Sequence, residues 1–188
     1  MPERRRIRVD GYPTIPSSSQ SAEAAPAPEL EVCACPHLDH DEWDGVESDW
    51  ADIAFVKTTA SALLGVVTGL GKLRTQLTAR ASKAHATVAD DAMFLLGAGQ
   101  FRRPAMLEVE APPEGAKGVE HPGGVVFTRL LPAPPGKVRV AVSTTEDEAR
   151  ERYGRPPDDL WLWYLTCRVC SEARNFETLI VAHYRQTA

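Results

Sequence analysis

Leu160-Trp161-Leu162-Trp163-Tyr164-Leu165-Thr166-Cys167-Arg168-Val169-Cys170 is the stretch on which the reading of this chain turns. Its first six residues are apolar at both alternating positions, which suits a central strand covered on both faces. The strand runs directly into a Cys-x-x-Cys turn. Beyond it, Ala173, Phe176, Leu179, Ile180, His183 and Tyr184 recur at helical spacing, although Thr178, Ile180 and Val181 also suit a strand. The reading favoured is a C-terminal strand, Cys-x-x-Cys turn and helix in succession.

Working back toward the N-terminus, three further segments read as strands: Pro104–Val109, Val125–Leu131 and Lys137–Val142. Pro112-Pro113, Pro122-Gly-Gly124 and Pro132-Ala-Pro-Pro-Gly136 mark their connections, so neighbouring strands are expected to be antiparallel. Ser143-Thr-Thr-Glu146 has the form of a capping box and opens a short charged helix that stops at Gly154. The first half of the chain has a different period. Ser48 or Asp49 caps an expected helix from Trp50 carrying Ile53, Lys57, Ala60 and Leu64, and a second helix places Leu70, Leu73, Leu77, Ala81 and Ala84 on one stripe. Asp90–Gly97 reads as a short helical turn ending at glycine. The expected fold is therefore α+β, with a helical N-terminal half followed by a mainly antiparallel sheet.

Residues 1–30 are rich in Arg, Pro, Ser and Ala, as in Ser17-Ser-Ser-Gln-Ser21 and Ala24-Ala-Pro-Ala-Pro28, and read as a disordered tail. Ile7, Val9, Tyr12 and Ile15 are scattered apolar anchors by which this tail would dock a protein partner. Residues 31–188 then form a single metal-binding domain, a size that sustains its own core. The net charge of −5 argues against a nucleic-acid partner. No window approaches the roughly 18 to 20 apolar residues of a membrane span. Arg4-Arg5-Arg6-Ile-Arg8 is followed by Val9-Asp-Gly-Tyr-Pro instead of an apolar signal core, which leaves the cytoplasm as the expected location.

All four cysteines fall into two tight pairs, Cys33 with Cys35 and Cys167 with Cys170, and His37 and His40 follow the first pair. Paired disulfides are the expectation for short secreted chains, and a redox dithiol for a Cys-x-x-Cys inside a βαβ unit; neither context is present. Thiolates and imidazoles at this spacing suit zinc, held by four cysteines or by three with His37 or His40. Such an ion would tie the N-terminal segment to the sheet. The same thiolates could instead hold an iron-sulfur cluster, which takes four cysteines or two cysteines with two histidines.

Cys35-Pro-His37-Leu-Asp39-His40 also resembles the His-x-His-x-Asp-His motif of the metallo-β-lactamase family, with Cys35 in place of its first histidine. The resemblance implies His37, Asp39 and His40 as metal ligands activating water. It covers six residues, the strands that family needs before the motif are replaced by the Pro-rich tail, and His85, His121 and His183 have no matching context. The readings that follow are a non-catalytic accessory or interaction protein with a structural zinc site, an iron-sulfur electron-transfer or redox protein, and a metal-dependent hydrolase using His37, Asp39 and His40.

Overall fold

The computed structural model describes residues 6–8, 33–63, 66–67, 69–99 and 102–186. Of the tail expected over residues 1–30, all but Arg6–Arg8 lies outside them. The strands are β1 (Arg6–Arg8), β2 (Val46–Asp49), β3 (Ala54–Leu63), β4 (Val66–Val67), β5 (Phe94–Gly97), β6 (Arg102–Val109), β7 (Val119–Glu120), β8 (Val125–Pro132), β9 (Asp159–Tyr164) and β10 (Glu177–Tyr184). Three helices are interspersed: α1 (His40–Trp43), α2 (Leu70–Lys83) and α3 (Val138–Tyr153). The strands make one sheet in the order β1-β2-β8-β10-β9-β5-β6-β3-β4, with β7 added beside β3. Every pairing in it is antiparallel.

Residues directly opposite in antiparallel strands share a face, so the register sorts the core. Ile180, Leu162, Leu96 and Ala105 are successive partners across β10, β9, β5 and β6, and therefore look out on one side. Both long helices cover that side. Leu73, Leu77 and Ala81 of α2 pack with Val56, Leu96, Ala105 and Leu107. Ala149 of α3 packs with Phe127 and Ala182, and Ala141 with Leu131 and Ile180.

The opposite side gathers Phe55, Leu95, Met106, Leu130, Trp161, Trp163, Leu179 and Val181. Trp50, in the β2–β3 connection, lies 5.2 Å from the Phe55 ring on β3 and 5.3 Å from the His183 ring on β10. Those strands are four steps apart in the order, roughly 19 Å in a flat sheet at about 4.8 Å per step. One indole can bridge them only because the sheet curls, with this face inside.

Gly124 shows how tightly the curl is set at the start of β8. Its φ of +76° is left-handed, and an added Cβ would lie 2.2 Å from the Tyr184 carbonyl oxygen. Its own carbonyl accepts the Trp50 backbone N–H at 2.8 Å, tying the β2–β3 connection that carries the indole to the start of β8.

This architecture corrects the expected fold class: there is no helical N-terminal half, and the molecule is predominantly one antiparallel sheet. The helix expected from Trp50 is β3, where Ala54, Phe55 and Val56 are buried in succession. The turn expected at Asp90–Gly97 contains β5, with Leu95 and Leu96 buried on opposite faces. The strand expected at Lys137–Val142 is the start of α3, whose buried stripe is Ala141, Thr145 and Ala149, while Val140 is exposed.

The helix expected after Cys170 is strand β10, so the C-terminal unit is strand, Cys-x-x-Cys turn, strand. Its apolar residues matched both periods because Thr178 through Tyr184 are all buried. A strand covered on both sides loses the alternation that marks strands in sequence. The helix at Leu70–Lys83 and the strands at β6, β8 and β9 stand where the sequence placed them.

Candidate metal centre and adjoining cleft

Strand β9 delivers Cys167 and Cys170 to one rim of the curled sheet. The chain after β9 turns back through hydrogen bonds from Ser171 N–H to the Cys167 carbonyl and from Arg174 N–H to the Cys170 carbonyl, each 3.0 Å. Asn175 and Phe176 then take φ values of +49° and +54°, a left-handed pair that reverses the chain into β10. The Phe176 N–H is satisfied by the Ser171 carbonyl at 2.7 Å.

The segment from Cys33 to Asp44 crosses the same rim. Leu38 and Trp43 pack against the inner core, Trp43 meeting Trp163 edge-on at 6.3 Å. Asp39 caps α1 by accepting the Asp41 N–H at 2.7 Å. Arg174 joins the two segments: it donates to the Leu165 carbonyl at 3.0 Å and to the Pro36 carbonyl at 2.8 Å, and pairs with Glu177. At the far end Asp44 accepts from Arg129 Nε at 2.8 Å and from the Leu130 N–H at 3.0 Å, while Glu148 of α3 holds the other side of that guanidinium.

These contacts bring all four cysteine sulfurs within 4.8 Å of one another, and such a group could hold a metal ion. Cys170 is buried and the other three are half-buried. The Cys167 and Cys170 sulfurs are 3.8 Å apart. A tetrahedral ion with metal–sulfur bonds of about 2.3 Å needs sulfur–sulfur edges of roughly 3.8 Å, a spacing that the Cys167–Cys170 pair already has and that the other sulfurs, all within 4.8 Å, approach. Backbone amides already point at the sulfurs. Cys167 N–H donates to Cys170 Sγ at 3.3 Å.

N–H groups of Cys170 and Val169 stabilise the Cys167 thiolate and pull its pKa down to about 6. The Cys35 N–H lowers that of Cys33 in the same way. Cys35 goes the opposite way, pushed up to about 12 by burial and then by hydrogen bonds to its thiol neighbours.

His37 and His40 stand outside this group. His37 is exposed, and His40 Nε2 lies 3.8 Å from Glu177 Oε1. Among the described residues, no second group of three or more His, Cys, Asp or Glu comes as close together.

Next to the cysteines opens a cleft of about 1370 Å³. Its apolar surface includes Leu38, Trp43, Val46, Ile53 and Trp163; its polar surface is His37, His121 and eight carboxylates, from Asp39, Asp41, Glu42, Asp49, Asp52, Asp91, Glu108 and Glu110. No described Lys or Arg lines it. Several of these acids already serve the fold: Asp49 accepts the Ala51 N–H at 2.8 Å and Glu108 the Met93 N–H at 3.0 Å. Seven lining residues between Pro36 and Trp43 belong to the segment that the cysteines and Arg174 fasten down.

The cysteine pairs were conspicuous in the sequence. The cleft was not, because Asp52, Asp91, Glu108, Glu110 and His121 are scattered along 70 positions that only the curl brings together. Arg174 carries no local signal beyond its place four residues after Cys170. Among the described residues, no helix is long and apolar enough to cross a membrane.

No curated protein and no solved structure matches this chain. A family model described as bacterial hydrolase matches residues 27–183, a span that includes both cysteine pairs, α1 and the whole cleft. The chain therefore belongs to the bacterial hydrolase family.

Proposed function

We propose that this chain is a hydrolase in which the four cysteines hold one structural zinc ion, and that this centre fixes the 36–43 wall of the cleft in which the substrate sits. The observation that carries the reading is the convergence of four sulfurs, from opposite ends of the chain, within 4.8 Å of one another, close to the edges of a tetrahedral thiolate site. Four thiolates leave no open coordination position, so the bound ion would supply rigidity, not an activated water. Membership of a hydrolase family supports an enzyme over a purely accessory role. Spacing also favours one ion over an iron-sulfur cluster, whose sulfur ligands sit on different irons and stand apart by the width of the cluster.

Within the cleft the chain's own groups would do the work. His37 and His121 offer imidazoles that can donate or accept a hydrogen bond at the reacting group, the carboxylates can orient water or a cationic substrate group, and Trp163 and Ile53 offer an apolar surface. A second reading places a hydrolytic metal at His37, Asp39 and His40. It is favoured by His37 and Asp39 lining the cleft together, and opposed by His40 facing Glu177.

Metal analysis with an absorption spectrum on anaerobically purified protein tests the proposal. One zinc per chain and no visible band are expected. Iron with a visible charge-transfer band would overturn it. For the cleft, hydrolysis of p-nitrophenyl acetate and p-nitrophenyl phosphate by the native chain and by His37→Ala is compared at equal zinc content. Loss of turnover with zinc retained supports the cleft as reaction site; unchanged turnover on a substrate that is hydrolysed removes His37 from the chemistry.

A further inference from the structure

We infer that the cysteine centre is a peroxide-sensitive latch: oxidation of Cys167 and Cys170 to a disulfide expels the bound ion and frees the 33–42 wall of the cleft. The inference rests on the metal-thiolate reading above and adds its regulation. Four observations carry it.

The first is proximity within one turn. Cys167 and Cys170 have sulfurs 3.8 Å apart, and a disulfide needs about 2.0 Å, a closure that side-chain rotation within the turn can make without moving the sheet. The second is access. Cys167 is half-buried beside exposed Arg168 and Val169, whereas Cys170 is only 7 % exposed. A small oxidant reaches Cys167 first, and Cys170 stands behind it as the resolving thiol.

The third is where the pair sits. Both cysteines belong to the β9–β10 side of the centre, and Cys33 and Cys35 to the crossing segment. Pairing Cys167 with Cys170 removes both ligands of one side together. Two thiolates on a CxC segment do not fill a tetrahedral site, so the ion leaves. A disulfide across the two sides would instead keep the segment fastened by a covalent bond.

The fourth is what remains. Trp43 stays against Trp163 and Asp44 stays on Arg129, so the loosened stretch ends before them. Between Cys35 and α1 the stretch is otherwise held by the bond of Arg174 to the Pro36 carbonyl and by Leu38 against the inner core, which are few restraints beside the two cysteine ligands. The freed stretch contributes Pro36, His37, Leu38, Asp39, Asp41 and Glu42 to the cleft. Oxidation therefore dismantles one wall and leaves the sheet intact.

The chemistry balances with hydrogen peroxide as oxidant. Cys167 sulfur attacks one peroxide oxygen, an S–O bond forms, the O–O bond breaks, and hydroxide leaves. Cys170 sulfur then attacks Cys167 sulfur, the S–S bond forms, and the S–O bond breaks with loss of a second hydroxide. Two thiolates, one peroxide and two protons give one disulfide and two waters.

The test uses the full chain loaded with zinc. Equimolar hydrogen peroxide is added with 4-(2-pyridylazo)resorcinol present to report free zinc. Expected are release of one zinc per chain, a mass lower by two hydrogens, and a Cys167–Cys170 disulfide joining the tryptic peptides cut at Arg168. Hydrogen exchange should quicken over residues 33–42 and stay unchanged in β8, β9 and β10, and dithiothreitol with zinc should reverse everything. Cys170→Ser provides a second route: dimedone should trap a sulfenic acid at Cys167 with no disulfide formed.

Zinc retained against a tenfold excess of peroxide overturns the latch, as does a disulfide joining Cys35 to Cys167, or zinc release with unchanged exchange over 33–42. A native protein purified with no metal and four titratable thiols would overturn the underlying site instead, which separates the two failures.

Discussion

Asp44→Ala is the sharpest probe of how the cleft wall is anchored apart from the cysteines. Arg129 and Asp44 side chains are only 5 % and 8 % exposed, and Asp44 Oδ1 accepts from both Arg129 Nε and the Leu130 N–H. Losing the charge-assisted bond costs about 1.5–3 kcal/mol, and orphaning the buried amide about 1–3 kcal/mol. Glu148 remains on the same guanidinium, so the charge is not abandoned, and the full ~3–5 kcal/mol of a broken buried pair is an upper limit. The expected loss is about 3 kcal/mol, roughly 150-fold in the folding equilibrium, since about 1.4 kcal/mol is tenfold. Urea unfolding of the zinc-saturated protein, followed by tryptophan fluorescence, measures it. Asp44→Asn, which keeps an acceptor for Leu130 N–H, should lose about half as much. Adding Arg129→Met to Asp44→Ala should recover part of the loss, because the buried charge is then gone. A loss under about 1 kcal/mol for Asp44→Ala, the range of a surface change, would refute the anchoring argument.

Three further outcomes are expected. Gly124→Ala should lower stability by at least about 2 kcal/mol in a thermal melt, because its Cβ would meet the Tyr184 carbonyl at 2.2 Å from a left-handed backbone; an unchanged melt would show that β8 and β10 are not so tightly set. In metal-free protein, iodoacetamide labelling of Cys167 should reach half its maximal rate near pH 6, because the thiolate is the reactive form and exists above the pKa. Cys35, held up near 12, should stay unlabelled through pH 9, and equal labelling of both at neutral pH would contradict the amide-to-sulfur geometry. Arg174→Ala should quicken zinc loss to a chelator while leaving four thiolate ligands in place, since it removes the bond to Pro36 O and not a ligand; an unchanged rate would leave Arg174 no part in closing the site.

The sequence made some of this legible for definite physical reasons. The α2 stripe of Leu73, Leu77 and Ala81 faces one layer and so kept its period, and Leu160–Leu165 declared a central strand by being apolar throughout. The same property concealed β5, β10 and the first three residues of β3, where burial on both faces erased the alternation and left helix-like spacing. In α3 the three valines at 138, 140 and 142 imitated a strand, while the residues that decide the packing are the small Ala141, Thr145 and Ala149. At the site, cysteine spacing announced the ligands, and a separation of over 130 positions was no obstacle because β9 and the 33–44 segment meet at one rim. The cleft depends on the curl of the sheet, set by long-range contacts such as Trp50 with Phe55 and His183, which no local pattern encodes.

X-ray absorption at the zinc edge on the purified chain tests the central claim most directly. Four sulfur neighbours at about 2.3 Å, and none lighter, are the predicted first shell. A shell containing nitrogen or oxygen would move His37, His40 or water into the site and open a position for catalysis, contradicting the account of a closed thiolate centre that holds the cleft wall in place.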